Sequence, residues 1–155
     1  MTMTNNPPAV EDEAAFTVRR TISIAAPVQK VWSAVTNPEH ISRWFGQVKL
    51  DERGVGTVAW PDHVLPLRLE SIDEPRSVSY RWTNDDFNPA APAVVDDAHS
   101  TVFTFTLEAT DEGTLLTVVE TGFQTLEHPA ANLASHSEGW TIELDKLVAL
   151  VESAE

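Results

Sequence analysis

From Phe16 to Ile24 apolar and polar residues alternate. Phe16, Val18, Ile22 and Ile24 share one face, with Arg20 the exception on it. A period of two predicts a half-buried strand. The period then lengthens. Val28, Val31, Trp32 and Val35 recur at i, i+3, i+4 and i+7, the apolar stripe of a short helix, and Pro27 suits its first turn. Asn37-Pro38 restarts the pattern as a cap and a first helical residue. Ile41, Trp44 and Phe45 make the next stripe, and Gly46 can close this second helix in the left-handed conformation.

Strand patterns follow. Gln47–Leu50 is short, Gly54 and Gly56 mark a turn, and a strand resumes over Thr57–Trp60. In His63–Ile72, Leu65, Leu67 and Leu69 share a face, and Pro66 suggests an edge position or a bulge. Val78, Tyr80 and Trp82 share a face of the next strand. The span 84–100 breaks the rhythm with two Asp-Asp pairs and two prolines, so it reads as a long loop. Phe103, Phe105 and Leu107 then alternate cleanly, Asp111-Glu112-Gly113 signals a hairpin, and Leu116, Val118 and Glu120 share a face of the return strand. Residues 125–134 read as irregular or weakly helical. Ser137 is a plausible cap for a long last helix whose stripe is Trp140, Leu144, Leu147, Val148 and Val151.

The order is strand, two short helices, about six strands and a long terminal helix. Residues 1–15 are polar, acidic and proline-bearing and read as a disordered lead-in, leaving one domain over 16–155. Three strings carry a resemblance: IAAPVQKVWSAVTNPEHISRWFG (24–46), GTLLTVVETGF (113–123) and GWTIELDKLVALVE (139–152). With the strand phasing between them, the chain resembles the START-like (SRPBCC, pollen-allergen-like) superfamily. The branch it is similar to is that of the C-terminal domain of the heat-shock-protein-90 ATPase activator homologue. The resemblance implies an α+β helix-grip fold: a curved antiparallel sheet wrapped around a long C-terminal helix, two short helices after the first strand, and a cavity between sheet and helix.

Composition narrows the function. The net charge of −14 repels phosphate backbones and anionic lipid, which argues against nucleic-acid binding. No apolar run is long enough to span a bilayer, and the N-terminus lacks a signal-peptide pattern. The absence of cysteine excludes disulfides, a thiol nucleophile and thiolate metal sites, and is compatible with a cytoplasmic setting. The five histidines show no ligand spacing. Asp96-Asp97 with His99 is the nearest approach to a weak metal site, and neither metal nor cofactor is expected.

The candidate site is the cavity that the resemblance implies. Aromatic residues suit such a lining: Trp44, Phe45, Trp60, Tyr80, Trp82, Phe103, Phe105, Phe123 and Trp140. Leu67, Leu69, Val118 and Leu144 would add aliphatic wall. The plainer reading of the same residues is core filling. Glu120 and Arg20 place charges on apolar strand faces, where burial would force pairing or a pKa shift. Glu120 is thus the one weak candidate for an acid–base group or ligand anchor. The plainer reading puts both charges at the sheet rim, in contact with water. Three functions follow: binding of a small hydrophobic molecule, lipid or polyketide-like; a cyclase- or hydratase-type enzyme using a pocket carboxylate; and a chaperone ATPase co-factor in a stress response. The lack of an assembled catalytic set weighs toward binding. Exposed strand edges could also pair two copies as a homodimer.

Overall fold

Alternation of apolar and polar positions builds most of the sheet. The computed structural model describes residues 6–87 and 92–153. In chain order, strands β1 (Val10–Asp12) and β2 (Thr17–Ile24) are followed by helices α1 (Val28–Thr36) and α2 (Pro38–Ile41). Strands β3 (Gln47–Leu50), β4 (Val55–Trp60), β5 (His63–Asp73), β6 (Ser77–Trp82), β7 (Thr101–Thr110) and β8 (Gly113–Thr121) come next. A short 3-10 helix (Phe123–Thr125) leads into helix α3 (Pro129–Glu152). The eight strands form one antiparallel sheet in the order β1-β2-β8-β7-β6-β5-β4-β3. The sheet curves around α3, and α1 and α2 close one end. This is the α+β helix-grip architecture.

Register makes one sheet face the core. Val18, Arg20, Ile22 and Ile24 of β2 point inward beside Leu116, Val118 and Glu120 of β8. Phe103, Phe105 and Leu107 of β7 and Val78, Tyr80 and Trp82 of β6 continue the face. Across it, α3 lays down Leu133, Trp140, Leu144, Leu147, Val148 and Val151. The gap between sheet and helix is filled by rings. Tyr80 stacks on Phe103 at 5.4 Å, and Phe45 lies nearly parallel to Trp140 at 5.7 Å and 9°. The void left among Trp44, Leu67, Phe103 and Phe105 is only about 10 Å³.

The structure departs from the sequence expectations at several places. The presumed lead-in contains β1, which pairs with β2 through Val10 opposite Arg19, and Phe16 turns between the two strands at φ 55° rather than opening β2. Residues 1–5 lie outside the described set. Pro27 is the N-cap of α1, not its first residue. Helix α2 keeps its Asn37 cap, whose Oδ1 accepts from the Glu39 N–H at 3.0 Å, but ends at Ile41. Gly46 therefore caps nothing. A Cβ there would meet Val58 Cγ2 at 2.7 Å, so close packing of the chain on β4 explains this glycine. Strand β5 is interior rather than an edge, and its bulge falls at Leu69–Ser71, downstream of Pro66. Helix α3 begins at Pro129, two turns before the expected Ser137 cap, because Pro129 occupies the first turn where no N–H is needed. Ser137 is buried inside the helix.

Candidate functional site

Glu120 alternates inward with Leu116 and Val118, and inward on β8 means under α3. It is fully buried, so the expectation of a solvated rim position fails. An ionised carboxylate in such a place needs partners, and the surrounding elements supply them. Trp82 Nε1 (β6) donates to Oε2 at 2.9 Å and Thr101 Oγ1 (β7) at 2.5 Å. Trp140 Nε1 (α3) donates to Oε1 at 2.8 Å, and His136 Nδ1 (α3) lies 3.0 Å from both oxygens. Burial alone would raise the Glu120 pKa. The facing imidazole and the donors from Thr101 and Trp82 outweigh it and hold the carboxyl below its ordinary value.

His136 is the other half of the pair, with only 3% of its side chain exposed. Burial would lower its pKa, but the Glu120 carboxylate, then Asp86 and the Asn84 backbone, hold it above the ordinary histidine value. Carboxylates beside both ring nitrogens, Glu120 at Nδ1 and Asp86 at Nε2, favour the protonated form of the ring. Nε2 is closed off from solvent 3.4 Å from Asp86 Oδ2, and makes no hydrogen bond of good geometry among the described residues. Asp86 is held by α3 itself: Ser135 Oγ donates to its carboxylate, and its N–H donates to Asn132 Oδ1 at 3.0 Å. Asn132 Nδ2 also donates to Asp85 Oδ1 at 3.0 Å.

Arg20 is equally buried, and does not pair with Glu120. Its Nη2 donates to Asp145 Oδ1 at 2.7 Å, while Nε and Nη1 donate to the carbonyls of Pro7 and Thr141 at 2.8 and 3.0 Å. It ties β2 to α3 and to the N-terminal segment. It too was expected at the rim, and it is inside because α3 covers this part of β2.

An open cleft of about 320 Å³ lies over His136, at the end of the sheet–helix sandwich. Phe45, Trp60, Trp82 and Trp140 form its aromatic wall, and Asp62, His63, Asn84, Asp86, Ser135 and Glu143 supply polar groups. The β4–β5 turn makes one lip, where Trp60 and His63 stack at 5.2 Å and 16°. Gly139 lies on the floor, near the middle of α3. A Cβ built there would find no heavy atom of the described residues beyond its own helix backbone within 4 Å.

The residues named from sequence thus separate. Phe45, Trp60, Trp82 and Trp140 line the cleft, and Glu120 lies beneath it. Trp44, Leu67, Tyr80, Phe103 and Phe105 border the filled gap between sheet and helix. Val118, Phe123 and Leu144 are fully buried and border neither, and Phe123 packs edge-on against His136 at 5.0 Å. Leu69 is half-buried beside Gly54. Sequence reasoning missed His136, Thr101, Asp86 and Gly139. His136 was findable, since it precedes Trp140 by four residues and continues the α3 stripe by one turn. Among the described residues no three His, Asp or Glu side chains gather as a metal-binding set, and His99 pairs only with Asp96, at 3.1 Å. No helix of the described residues is long and apolar enough to cross a membrane.

Known proteins share this architecture. Protein MLL2253 from Mesorhizobium loti superposes with a TM-score of 0.73 at 24% identity, over 90% of this chain and 98% of that one. DynU16, from the dynemicin biosynthetic locus, gives 0.70 at 24% identity over 90% of this chain, which spans only 48% of DynU16. CalU16 from Micromonospora echinospora gives 0.63 at 23% identity, over 98% of this chain and 88% of that one. At such identities these likenesses show the fold. No curated protein matches the sequence. A family model matches residues 25–152, from the end of β2 through the whole of α3, and so the chain belongs to the family of activator of Hsp90 ATPase homolog 1-like proteins.

Proposed function

We propose that this protein binds a small, largely apolar molecule, lipid or polyketide-like, in the cleft over His136. The observation that carries the reading is the aromatic wall of Phe45, Trp60, Trp82 and Trp140 around an open volume of about 320 Å³. That volume is at the small end of the roughly 300–1,000 Å³ of small-molecule pockets, which combine apolar walls with a few placed polar groups. The solved relatives DynU16 and CalU16 share the fold, and the first comes from the dynemicin biosynthetic locus, a setting that supports a small organic ligand. A cytoplasmic setting belongs to the same reading.

Native mass spectrometry of the purified protein, with a thermal-shift panel of fatty acids, sterols and polycyclic aromatic ketones, tests it. A co-purified molecule or a saturable rise in melting temperature supports the reading. A silent panel, together with stimulation of a chaperone ATPase, would move the function to the co-factor role that the family name suggests.

The buried Glu120–His136 pair favours a second reading, an enzyme of the cyclase or hydratase kind. A carboxylate that orients an imidazole beside a cleft is the arrangement of an acid–base group. In that case His136, not Glu120, faces the substrate, and Glu120 is the positioning residue. New products on incubation with a bound polyketide-like ketone, lost in His136→Phe, would favour it.

A further inference from the structure

Arg20 is buried but takes no part in the cleft. Its guanidinium lies in a groove between the β2 edge and α3, with 1% of the side chain exposed. Residues 6–12 fill that groove as a docked peptide would. Pro7 offers its carbonyl to Arg20 Nε at 2.8 Å. Asn6 Oδ1 accepts from the Ser23 N–H at 2.9 Å, and Nδ2 donates to the Ser23 carbonyl at 3.2 Å, as a neighbouring strand does with its main chain. The Ala9 N–H donates to Thr141 Oγ1 at 2.9 Å, and Ser137 Oγ donates to the Ala9 carbonyl at 3.3 Å. Val10–Asp12 then pairs with residues 17–19. The family match begins at residue 25, so this strap lies outside it.

Lifting the strap breaks these contacts together and strips Arg20 of an acceptor beside α3. The groove therefore selects for a strap, but nothing in the contacts depends on which chain supplies it. What joins the strap to its own groove is the turn at 13–16, and that turn is strained. Phe16 sits at φ 55°, a left-handed conformation that a bulky residue avoids. Two exposed hydrogen bonds brace the turn, from the Ala14 and Ala15 N–H groups to Asp12 Oδ1, each 3.1 Å.

We propose that two copies of this chain exchange straps. Residues 6–12 of each copy seat in the β2–α3 groove of the other, and the turn at 13–16 opens into continuous strand. The partner is thus a second copy, held by the same contacts that close the monomer. Those contacts cancel between the two forms. The balance lies between the turn and the freedom lost on pairing. Opening the turn releases Phe16 from its left-handed conformation, once in each chain.

Size-exclusion chromatography with light scattering, over a wide concentration series, tests the proposal. Samples first pass through partial unfolding in urea, so that straps can change places. They run in high salt, which screens the carboxylates of Glu11, Asp12 and Glu13. The full chain should give monomer and dimer that interconvert slowly. Ala14→Pro with Ala15→Pro removes both N–H groups of the turn and favours extended backbone, so the association constant should rise about tenfold or more. Phe16→Gly removes the strain, so the constant should fall about tenfold or more. The chain has no cysteine, so Val10→Cys with Arg19→Cys, a facing pair in the ladder, reports where the strap comes from. On oxidation the dimer should run at twice the chain mass without reductant. A dimer whose cysteines close within one chain overturns the proposal. So does a chain that stays monomeric throughout the series, the double-proline variant included. Should that variant fail to fold, the wild-type series and the cysteine pair still decide.

Discussion

Gly139→Ala should make the protein more stable and its ligand weaker. Alanine exceeds glycine in helix propensity by about 1 kcal/mol at an interior position, because glycine gives up more chain freedom on folding. That gain is realised only if the methyl group fits. At Gly139 the new Cβ meets no neighbouring heavy atom of the described residues within 4 Å, so no strain from them offsets it. For a chain of this size, about 1 kcal/mol corresponds to a rise of roughly 2–4 °C in melting temperature. Urea melts should show a higher midpoint at unchanged slope, since no surface is rearranged. The same methyl group stands on the cleft floor beside His136. A ligand lying on the helix backbone must shift or compress, at a cost of about 1–3 kcal/mol by analogy with overpacked cores. Affinity is read by tryptophan quenching, for which Trp60, Trp82 and Trp140 are well placed. A destabilised Gly139→Ala would mean that the fold itself needs the glycine. A stabilised variant with unchanged affinity for every ligand would refute the argument that the gap exists for a bound molecule.

Other expectations concern the buried pair. Glu120→Gln should destabilise by about 3–5 kcal/mol, because an imidazolium loses its counter-charge and the amide nitrogen meets donors from Trp82, Thr101 or Trp140. A wild-type chemical melt for this variant would show that His136 is neutral in the native protein. Trp140→Phe removes the donor to Glu120 and also part of a buried indole packed on Phe45, Trp82, Phe103 and Phe105, so its cost should be at least the about 1.5–3 kcal/mol of a hydrogen bond to a charged group; a smaller loss in a urea melt would show that the donor contributes little. Stability should also follow pH on both sides. The His136 pKa is raised, so its contribution is complete below the unfolded value of 6.5 and is lost as pH rises through the folded value. The Glu120 pKa is lowered, so its contribution is complete above the unfolded value of 4.5 and is lost as pH falls through the folded value. The pair therefore stabilises most between those two unfolded values, and urea midpoints across pH should fall away on either side, with the alkaline loss absent in His136→Phe.

The fold was largely legible because periodicity reports which face is buried. The alternation in β7 and β8, the Asn37-Pro38 restart and the broad stripe of α3 need only local information. The errors fell where a distant contact decides. Nothing near Val10 says that it will lie beside Arg19, and nothing near Gly46 announces Val58. Glu120 and Arg20 were visible as charges on apolar faces, but the cost of burying a charge argued for the rim. That argument fails because each finds partners far along the chain: His136 and Trp140 for Glu120, Thr141 and Asp145 for Arg20. The cleft was legible only in part. Its rings came from periodic segments, Trp60 and Trp82 from strands and Phe45 and Trp140 from helical stripes, whereas much of its polar side came from Asp62, Asn84 and Asp86, in turns that carry no period.

Helix α3 shows most directly how fold and site divide the sequence. A helix that only covered the sheet would gain from three replacements. An apolar residue at His136, matched by one at Glu120, would avoid desolvating two charges. Alanine at Gly139 would improve helix propensity. An apolar or longer polar residue at Glu143 would remove a carboxylate from beside an aromatic wall. These three residues stand at i, i+3 and i+7, on one face, and all three border the cleft. Elsewhere the buried face of the helix is mostly apolar, with Leu133, Leu144, Leu147, Val148 and Val151, and its other buried polar residues, Asn132 and Ser137, bond to Asp85, Asp86 and the Ala9 carbonyl. Departures from local consistency that gather at one concavity point to function rather than to a loosely chosen sequence. The same turns of the helix also hold Asp86 through Ser135 and Asn132. The wall of the cleft and the charge state of its floor are therefore set by one element, and a change at His136 must be felt at Asp86.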